Sequence, residues 1–377
     1  MFNPRTHQRI PASARRRIVI AAILLAAVAC GSDSTGPGSG TTGFLGGTSN
    51  NHQIGLVLNS LGKSLTLFQL GSPNTQKQIA LGTSSTVTPT GFSEGSRYAA
   101  VPLGNAASVA LVDLQNMTVP RYFTFASGNA TGSAFVDDTT IIATNPTLNT
   151  VGRMTVGQTS DVITPTVTVA PQPTDVEFGG GRALVTSSNL DANFAPLGNG
   201  IVTALDPRTL QVLGTAQTGG TNPTAAAVGP DGLLYVVNTG DYVTQGSVTI
   251  VNPVTMTVVA TVGNMGVGPG AISIDANGVA YISNLFSGTL VWDTKSRTFL
   301  RGGDNPVCAK LTDGSCRGAF AATTDAAGDI YQVFFGSTSQ GLPPYVFVFR
   351  TSTYALSDSI STGSGPTAIA VRSFQGL

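Results

Sequence analysis

Short apolar segments rich in β-branched residues recur along most of the chain, and turns containing Gly, Asp or Asn separate them. LYVVN at residues 234–238, VTIV at 248–251 and AYIS at 280–283 are examples. Such runs, bounded by turn residues, predict β-strands, and no stretch has the periodicity of an amphipathic helix. Gly232 and Gly278 supply the backbone freedom that tight hairpins need. The pattern therefore predicts an all-β fold.

The strand pattern also repeats. GPDGLLYVVN at residues 229–238 returns 46 residues later as DANGVAYISN at 275–284. A Pro-centred phrase marks each unit, and a full unit continues as four short strands. Because a four-stranded unit cannot bury its faces alone, the units must pack on one another. Successive phrases are 41 to 50 residues apart and start at Pro89, Ala130, Pro173, Pro223, Pro269, Arg317 and Pro366, with degenerate copies at Ala130 and Arg317.

Side-chain size along the first strand of each unit distinguishes between architectures. Positions two and four after the Pro are nearly all Gly, Ala or Ser, as at Ala225 and Ala227, whereas positions three and five carry most of the bulk. Strands that converge on an axis leave little room on one face, so this asymmetry predicts a β-propeller. A β-sandwich, the alternative architecture, has no reason to repeat it.

The two ends of the repeat region complement each other. Six whole units run from Pro89 to residue 365. PTAIAV at residues 366–371 is an inner strand with nothing after it, whereas the segment from Ile54 begins directly with a second-strand phrase. We therefore predict seven blades of four antiparallel strands, in a ring closed by pairing of the C-terminal inner strand with the N-terminal strands.

The repeat phrases resemble those of a known family. YVVN from Tyr235, YISN from Tyr281, VTIVNPVTMTVVATVG from Val248 and GPTAIAV from Gly365 are similar to the YVTN repeat of seven-bladed YncE-like propellers. The resemblance extends over most of residues 85–371. It implies an extracytoplasmic binding propeller, and it implies neither one ligand nor a catalytic set, because the fold hosts many functions.

The N-terminal region predicts export. Five Arg residues precede the apolar segment IVIAAILLAAVA at residues 18–29, which is too short to span a bilayer, so residues 1–29 are interpreted as a secretory signal peptide. Small residues followed by Cys30 resemble the lipobox of bacterial lipoproteins, which implies a lipid on Cys30; a non-lipidated signal peptide is the alternative. Residues 30–53 are rich in Gly, Ser and Thr and predict a flexible tether, and residues 54–377 are the predicted propeller. We expect lipid anchoring to the cell envelope, at the outer membrane.

Net charge and cysteine content limit which partners and which covalent cross-links are expected. Without the signal peptide, 14 basic residues face 19 acidic ones, so nucleic acid is not an expected partner. Cys308 and Cys316 lie in one loop of an exported chain, so we predict a disulfide between them. A metal site is the rival interpretation, but two Cys without a nearby His cannot complete a tetrahedral zinc shell.

Few residues are available for catalysis. His52 is the one His left after the signal peptide, and Glu94 and Glu177 are the only Glu residues. We therefore predict no enzyme, catalytic residue, metal or cofactor, and expect a binding or scaffold module. An envelope-polymer lyase or hydrolase, and a purely structural surface protein, are the alternatives. Glu94, in FSEGSRY, is predicted to be a solvated turn residue.

Two carboxylates interrupt the small-residue pattern. Asp175 and Glu177 occupy positions two and four after Pro173, where other units carry Gly, Ala or Ser. They either bind a ligand at the mouth of the axis or bond neighbouring backbone groups, as buried polar groups must.

Long connections supply a second group of candidate residues. In a four-stranded blade, the loops between strands two and three and the linkers between blades emerge on one rim, and the long segments of this chain all fall there. Loops on a rigid scaffold commonly carry recognition. We expect a protein, peptide or glycan of the envelope to bind this rim of a monomer; the candidate binding residues in these loops are Asp191, Phe194, Asp241, Tyr242, Arg317, Phe335 and Tyr345.

Overall fold

The computed structural model describes residues 52–374, with side chains from Gln53 to Ser373. The predicted signal peptide, Cys30 and residues 31–51 of the predicted tether lie outside the described residues. No helix in the part of the chain that the structure describes is both long and apolar enough to cross a membrane.

Strands dominate the described residues, and two short 3-10 helices, Pro146–Leu148 and Thr338–Gln340, interrupt loops. The second of these helices lies in the segment Ser337–Leu342, which is closed by reciprocal backbone hydrogen bonds between its end residues. In chain order the strands are β1 (His52–Asn59), β2 (Ser64–Gln69), β3 (Ser72–Ala80), β4 (Ser93–Glu94), β5 (Tyr98–Pro102), β6 (Ser108–Asp113), β7 (Thr118–Thr124), β8 (Ser133–Phe135), β9 (Thr140–Asn145), β10 (Thr150–Thr155), β11 (Thr166–Thr168), β12 (Pro173–Gly179), β13 (Arg182–Ser187), β14 (Ile201–Leu205), β15 (Val212–Gln217), β16 (Pro223–Val228), β17 (Leu234–Asn238), β18 (Ser247–Asn252), β19 (Thr257–Val262), β20 (Pro269–Ile274), β21 (Val279–Asn284), β22 (Gly288–Asp293), β23 (Thr298–Arg301), β24 (Ala321–Thr324), β25 (Ile330–Phe334), β26 (Tyr345–Arg350), β27 (Ala355–Ser361) and β28 (Pro366–Phe374).

These strands form seven four-stranded antiparallel sheets, the blades of a β-propeller. Blade 1 has the order β28-β1-β2-β3, and blades 2 to 7 each contain four consecutive strands, from β4–β7 to β24–β27. The first strand of a blade contacts the first strand of the next, as β12 contacts β16 and β16 contacts β20, so these strands are the inner ones. The predicted fold class and blade number are confirmed.

Ring closure depends on one strand pair. β28 pairs with β1 in antiparallel register over eight residue pairs, from His52 opposite Phe374 to Asn59 opposite Pro366. β1 in turn pairs with β2. The C-terminal strand therefore supplies the inner strand that the N-terminal segment lacks, as the sequence predicted.

Burial explains the apolar pattern of each unit. Second and third strands pack between neighbouring blades on both faces, and β17, with the sequence LYVVN, is buried at every position. Fourth strands lie at the outside, so most of β19 is exposed. The repeated Tyr also has a partner in the turn: the Tyr235 hydroxyl donates to Asp231 over 2.7 Å, and the Tyr331 hydroxyl donates to Asp325 over 3.2 Å.

Hydroxyl groups join neighbouring blades at the start of the inner strands. The carbonyl oxygen of Pro89 accepts a hydrogen bond from Ser60 of blade 1, that of Pro223 accepts from Ser188 of blade 4, and that of Pro269 accepts from Thr239 of blade 5. Each bond gives a backbone carbonyl a donor from the preceding blade, and buried carbonyls need such partners. The recurring Pro therefore marks a contact between blades.

Crowding at the inner strands explains the small residues. A Cβ on Gly132 of blade 3 would lie 2.8 Å from the Cα of Asp175 and 2.8 Å from the carbonyl oxygen of Thr174, both in blade 4. No side chain fits at that distance from backbone. The convergence inferred from the sequence is present at this junction.

The registers define two rims. The rim that carries the start of each inner strand, the loops between strands two and three and the linkers between blades is called the long-loop rim. The opposite, hairpin rim carries the turns after strands one and three. Because Asn59 lies opposite Pro366, His52 at the start of β1 and Phe374 at the end of β28 lie at the hairpin rim.

Deleting residues 366–377 is expected to open the ring, because blade 1 then loses its inner strand. Amide hydrogen exchange in residues 54–82 should become faster by about tenfold or more, since exchange follows local opening. A chain lacking only residues 375–377 keeps β28 and serves as the control. Equal protection in the two truncated proteins would contradict the closure described here.

Candidate functional site

Asp175 joins two blades. One carboxylate oxygen accepts the backbone N–H of Val176 over 2.9 Å, and the other accepts the N–H of Ala226 in the inner strand of blade 5 over 2.8 Å. The inner edge of β16 faces the axis, so the Ala226 N–H has no partner strand on that side. Asp175 therefore makes the backbone bonds that one of the two interpretations predicts.

Glu177 lies two residues further along β12, on the same face as Asp175. No described residue donates a hydrogen bond to it. Both side chains keep some solvent contact, yet protein surrounds them closely: burial raises the pKa of Asp175 to about 6, against the two backbone hydrogen bonds, which lower it. Burial, and then the neighbouring Asp175 carboxylate, raise the pKa of Glu177 well above its ordinary value. The pair therefore holds a proton at a pH where exposed carboxylates are ionised.

The prediction that Glu94 is a solvated turn residue is wrong. Glu94 is the last residue of β4, its side chain is 16% exposed, and one of its oxygens is buried without a partner. Burial raises the pKa of Glu94 to about 7, although the Arg372 guanidinium of blade 1, 3.9 Å away, acts in the opposite direction. The sequence placed Glu94 in the turn of FSEGSRY. In the structure the turn starts at Gly95, whose N–H donates to the carbonyl of Tyr98, so Glu94 lies in the strand before it.

On the long-loop rim, Asp191 and Asp241 shape their own loops. Asp191 accepts the backbone N–H of Asn193 and Ala195, and Asp241 accepts those of Val243 and Thr244. Each turn holds an aromatic residue in the left-handed backbone region, which bulky residues seldom adopt: φ is 61° at Phe194 and 60° at Tyr242. The two carboxylates therefore support the loops that present Phe194 and Tyr242.

Four consecutive blades present an aromatic side chain in the loop between strands two and three. Phe194 in blade 4 is 70% exposed and Phe286 in blade 6 is 62% exposed. Tyr242 and Phe286 flank Gly268, since a Cβ there would lie 2.9 Å from the Phe286 ring and 3.4 Å from the Tyr242 ring. We call this set the aromatic arc; its members are Phe194, Tyr242, Phe286 and Phe335.

Sequence reasoning missed Phe286. The residue follows the YISN phrase by two positions, so comparing the loops after the aligned Asn residues would have found it.

Blade 7 gathers three of the predicted residues. Phe335 stacks on Phe320 with ring centroids 4.9 Å apart, and Tyr345 lies 5.6 Å from Phe347. The Arg317 guanidinium lies over the rings of Phe334 and Phe347, at 5.1 and 5.3 Å from their centroids. Arg317 and Tyr345 thus belong to one cluster around Phe347, and Phe335 lies in a separate stack with Phe320. Asp191 and Asp241 lie in the loops of blades 4 and 5.

The linker between blades 6 and 7 holds this cluster in place. Cys308 and Cys316 form a disulfide with their Cα atoms 5.5 Å apart. Val307 exchanges backbone hydrogen bonds of 2.9 Å with Thr289 of blade 6, and the Gln332 amide of blade 7 donates to both of these residues. The linker is therefore packed between two blades.

Other cavities lie on the hairpin rim, where the sequence predicted no site. A hollow of about 690 Å³ between blades 1 and 7 is lined by Asp325, Asp329, Asp358 and Arg350. Arg350 pairs with Asp329, and Asp325 bonds its own turn. Within residues 52–374, no three His, Cys, Asp or Glu side chains are grouped so as to hold a metal ion.

Comparisons with known proteins bear on the fold alone. No family model matches the chain, and no curated protein matches its sequence. A hydrazine synthase structure from Kuenenia stuttgartiensis is similar, with 13% identity and a TM-score of 0.60 over 78% of this chain and 98% of that one. A protein of unknown function from Desulfotomaculum acetoxidans has 16% identity and a TM-score of 0.62 over 85% and 99% of the two chains. At these identities the likeness supports the β-propeller fold.

The Asp175–Glu177 pair should make stability depend on pH. Because both pKa values are raised in the folded state, the stability they contribute is present below their unfolded values and is lost as pH rises through the folded ones. Glu177→Gln is expected to flatten the fall in unfolding free energy between about pH 4 and pH 8, by about 1 to 2 kcal/mol in denaturant titrations.

Asp304→Asn is the matched control for that experiment, because Asp304 is exposed and makes no hydrogen bond in the described part of the chain. If the unfolding free energy of Glu177→Gln depends on pH as that of Asp304→Asn does, the Asp175–Glu177 pair is not the cause of the pH dependence.

Proposed function

We propose that this protein is an exported, lipid-anchored propeller that binds a protein, peptide or glycan of the cell envelope on its long-loop rim. The observation that carries the proposal is the aromatic arc. Exposed aromatic side chains are costly on a free surface and are enriched where proteins recognise partners. The loops of blades 4, 5 and 6 expose one each, at Phe194, Tyr242 and Phe286. The loops of Phe194 and Tyr242 hold theirs in a strained backbone conformation that Asp side chains support.

The position of the chain ends is compatible with anchoring. The described chain starts at His52 on the hairpin rim, so a tether to a lipid on Cys30 would leave from the side opposite the aromatic arc. The long-loop rim would then face away from the membrane. We further propose that the chain is a divergent relative of the YncE-like propellers, because the Pro-centred phrase and the Tyr and Asn positions of their repeat recur here at corresponding places in the blades.

Lipid anchoring can be tested at Cys30. Cys30→Ser is expected to abolish incorporation of radiolabelled palmitate and to move the protein from the membrane fraction to the soluble fraction, because thioether formation requires the thiol. The double variant Cys308→Ser/Cys316→Ser keeps Cys30 and should stay in the membrane fraction. Lipid anchoring at Cys30 would be refuted if Cys30→Ser stayed in the membrane fraction and neither it nor the double variant incorporated palmitate.

Partner binding can be tested on the aromatic arc. The triple variant Phe194→Ser/Tyr242→Ser/Phe286→Ser should reduce proximity labelling of envelope partners by about tenfold or more, because a few aromatic residues commonly dominate an interface. The matched control, Val212→Ser/Val259→Ser/Leu300→Ser, removes three exposed apolar side chains from outer strands. Equal labelling by the two triple variants would contradict binding on the long-loop rim.

A further inference from the structure

Arg317 differs from the arginines that are ion-paired. Arg97 and Arg121 each combine an aromatic face with a carboxylate, Asp113 and Asp161 respectively. Arg317 lies over two aromatic faces, and no described carboxylate comes within 4.0 Å of it. Its cation therefore has ring contacts but lacks the counter-charge that Arg97 and Arg121 have.

The polar edge of this guanidinium is also unsatisfied. The Nε of Arg317 is buried and has no hydrogen-bond partner, and no residue in the described chain accepts a bond from its terminal nitrogens. A buried donor that makes no hydrogen bond destabilises the folded protein by about 1 to 3 kcal/mol. Cation–π contacts return about 0.5 to 2 kcal/mol each but satisfy no donor. The Arg317 guanidinium therefore has no hydrogen-bond acceptor among the described residues.

The surrounding backbone fixes the position of Arg317. Its N–H donates to the carbonyl of Ala309 over 2.9 Å, on the other arm of the disulfide loop. A Cβ on the next residue, Gly318, would lie 1.8 Å from the carbonyl oxygen of Leu285, so the chain passes directly against blade 6. Ala319 then donates to the Asn284 carbonyl over 2.8 Å. Such preorganisation lowers the entropy lost when a ligand binds.

The two terminal nitrogens of a guanidinium can bind a planar or tetrahedral oxyanion through two parallel hydrogen bonds. A second cation lies in the same disulfide loop: the Lys310 ammonium is 3.1 Å from the sulfur of Cys316, the residue before Arg317. The carboxylate of Asp313, in the same loop, accepts hydrogen bonds from the backbone N–H and the hydroxyl of Ser315.

We propose that Arg317 is the anchor of an oxyanion-binding site on the long-loop rim, with the rings of Phe334 and Phe347 beneath the guanidinium. The site takes a carboxylate, phosphate or sulfate group carried by the ligand. This proposal deepens the binding function proposed above and rests on it for the identity of the ligand, but binding of the oxyanion itself can be measured without the partner.

The test follows the side-chain Nε–H resonances of the arginines by NMR while phosphate, sulfate or acetate is added to the folded protein. We expect the Arg317 resonance to shift and saturate, and the order of the three anions to separate tetrahedral from planar recognition. Arg317→Lys keeps the charge but loses the planar fork, so calorimetric affinity should fall by about tenfold or more.

Arg301→Lys is the matched control, because Arg301 also lies over an aromatic ring, that of Tyr354 at 4.5 Å. Its affinity for the anions should equal that of the unaltered protein. Amide spectra of Arg317→Lys establish that the variant is folded, and if it is not, the Arg317 resonance of the unaltered protein decides alone. An Arg317 resonance that does not move, or equal affinity of a folded Arg317→Lys, overturns the proposal.

The two proposals fail in different ways. If Arg317→Lys loses the oxyanion while the aromatic-arc variant still labels its partners, the anion site stands and the long-loop rim is not the partner surface. If the arc variant loses its partners while oxyanions leave Arg317 unaffected, partner binding stands and the anion site is refuted.

Discussion

Closure of the ring is the constraint on which the rest of the structure depends. A blade has an inner and an outer edge, and a sheet with open edges invites pairing with other chains. Pairing of β28 with β1 gives the first blade its inner strand and makes every blade a neighbour of two others. Packing between blades then buries both faces of the second and third strands, which is why these strands are apolar at successive positions.

The inner edges remain open to the axis, and side chains of the preceding blade bond polar backbone groups there. Ser60, Ser188 and Thr239 donate to the Pro carbonyls, and Asp175 accepts from Ala226. The same need explains why a carboxylate is retained at a position otherwise reserved for small residues. Burial of this carboxylate disfavours its charged form, so the pKa of Asp175 is raised, and so is the pKa of Glu177 beside it.

The fold could be predicted from the sequence because seven units carry the same information. Tyr235 and Tyr281 mark the same strand position, and the unmatched strands at the two ends complete one blade. Contacts that occur once had no such support. Glu94 was misplaced because its hairpin is one residue shorter than those of blades 5 and 6. The Arg317 guanidinium meets Phe334 and Phe347 only through a non-repeating linker. Phe335 and Tyr345 were selected as loop aromatics, but their packing against Phe320 and Phe347 has no pattern in sequence.

The place of β1 within its sheet has a mechanical consequence. β1 lies between β28 and β2, with hydrogen bonds along both sides. A pull applied to the chain before His52 acts along the strand, so it loads two ladders in shear rather than unzipping them one bond after another. β1, the partner of the ring-closing strand β28, is thereby also well placed to resist tension on the N-terminal segment.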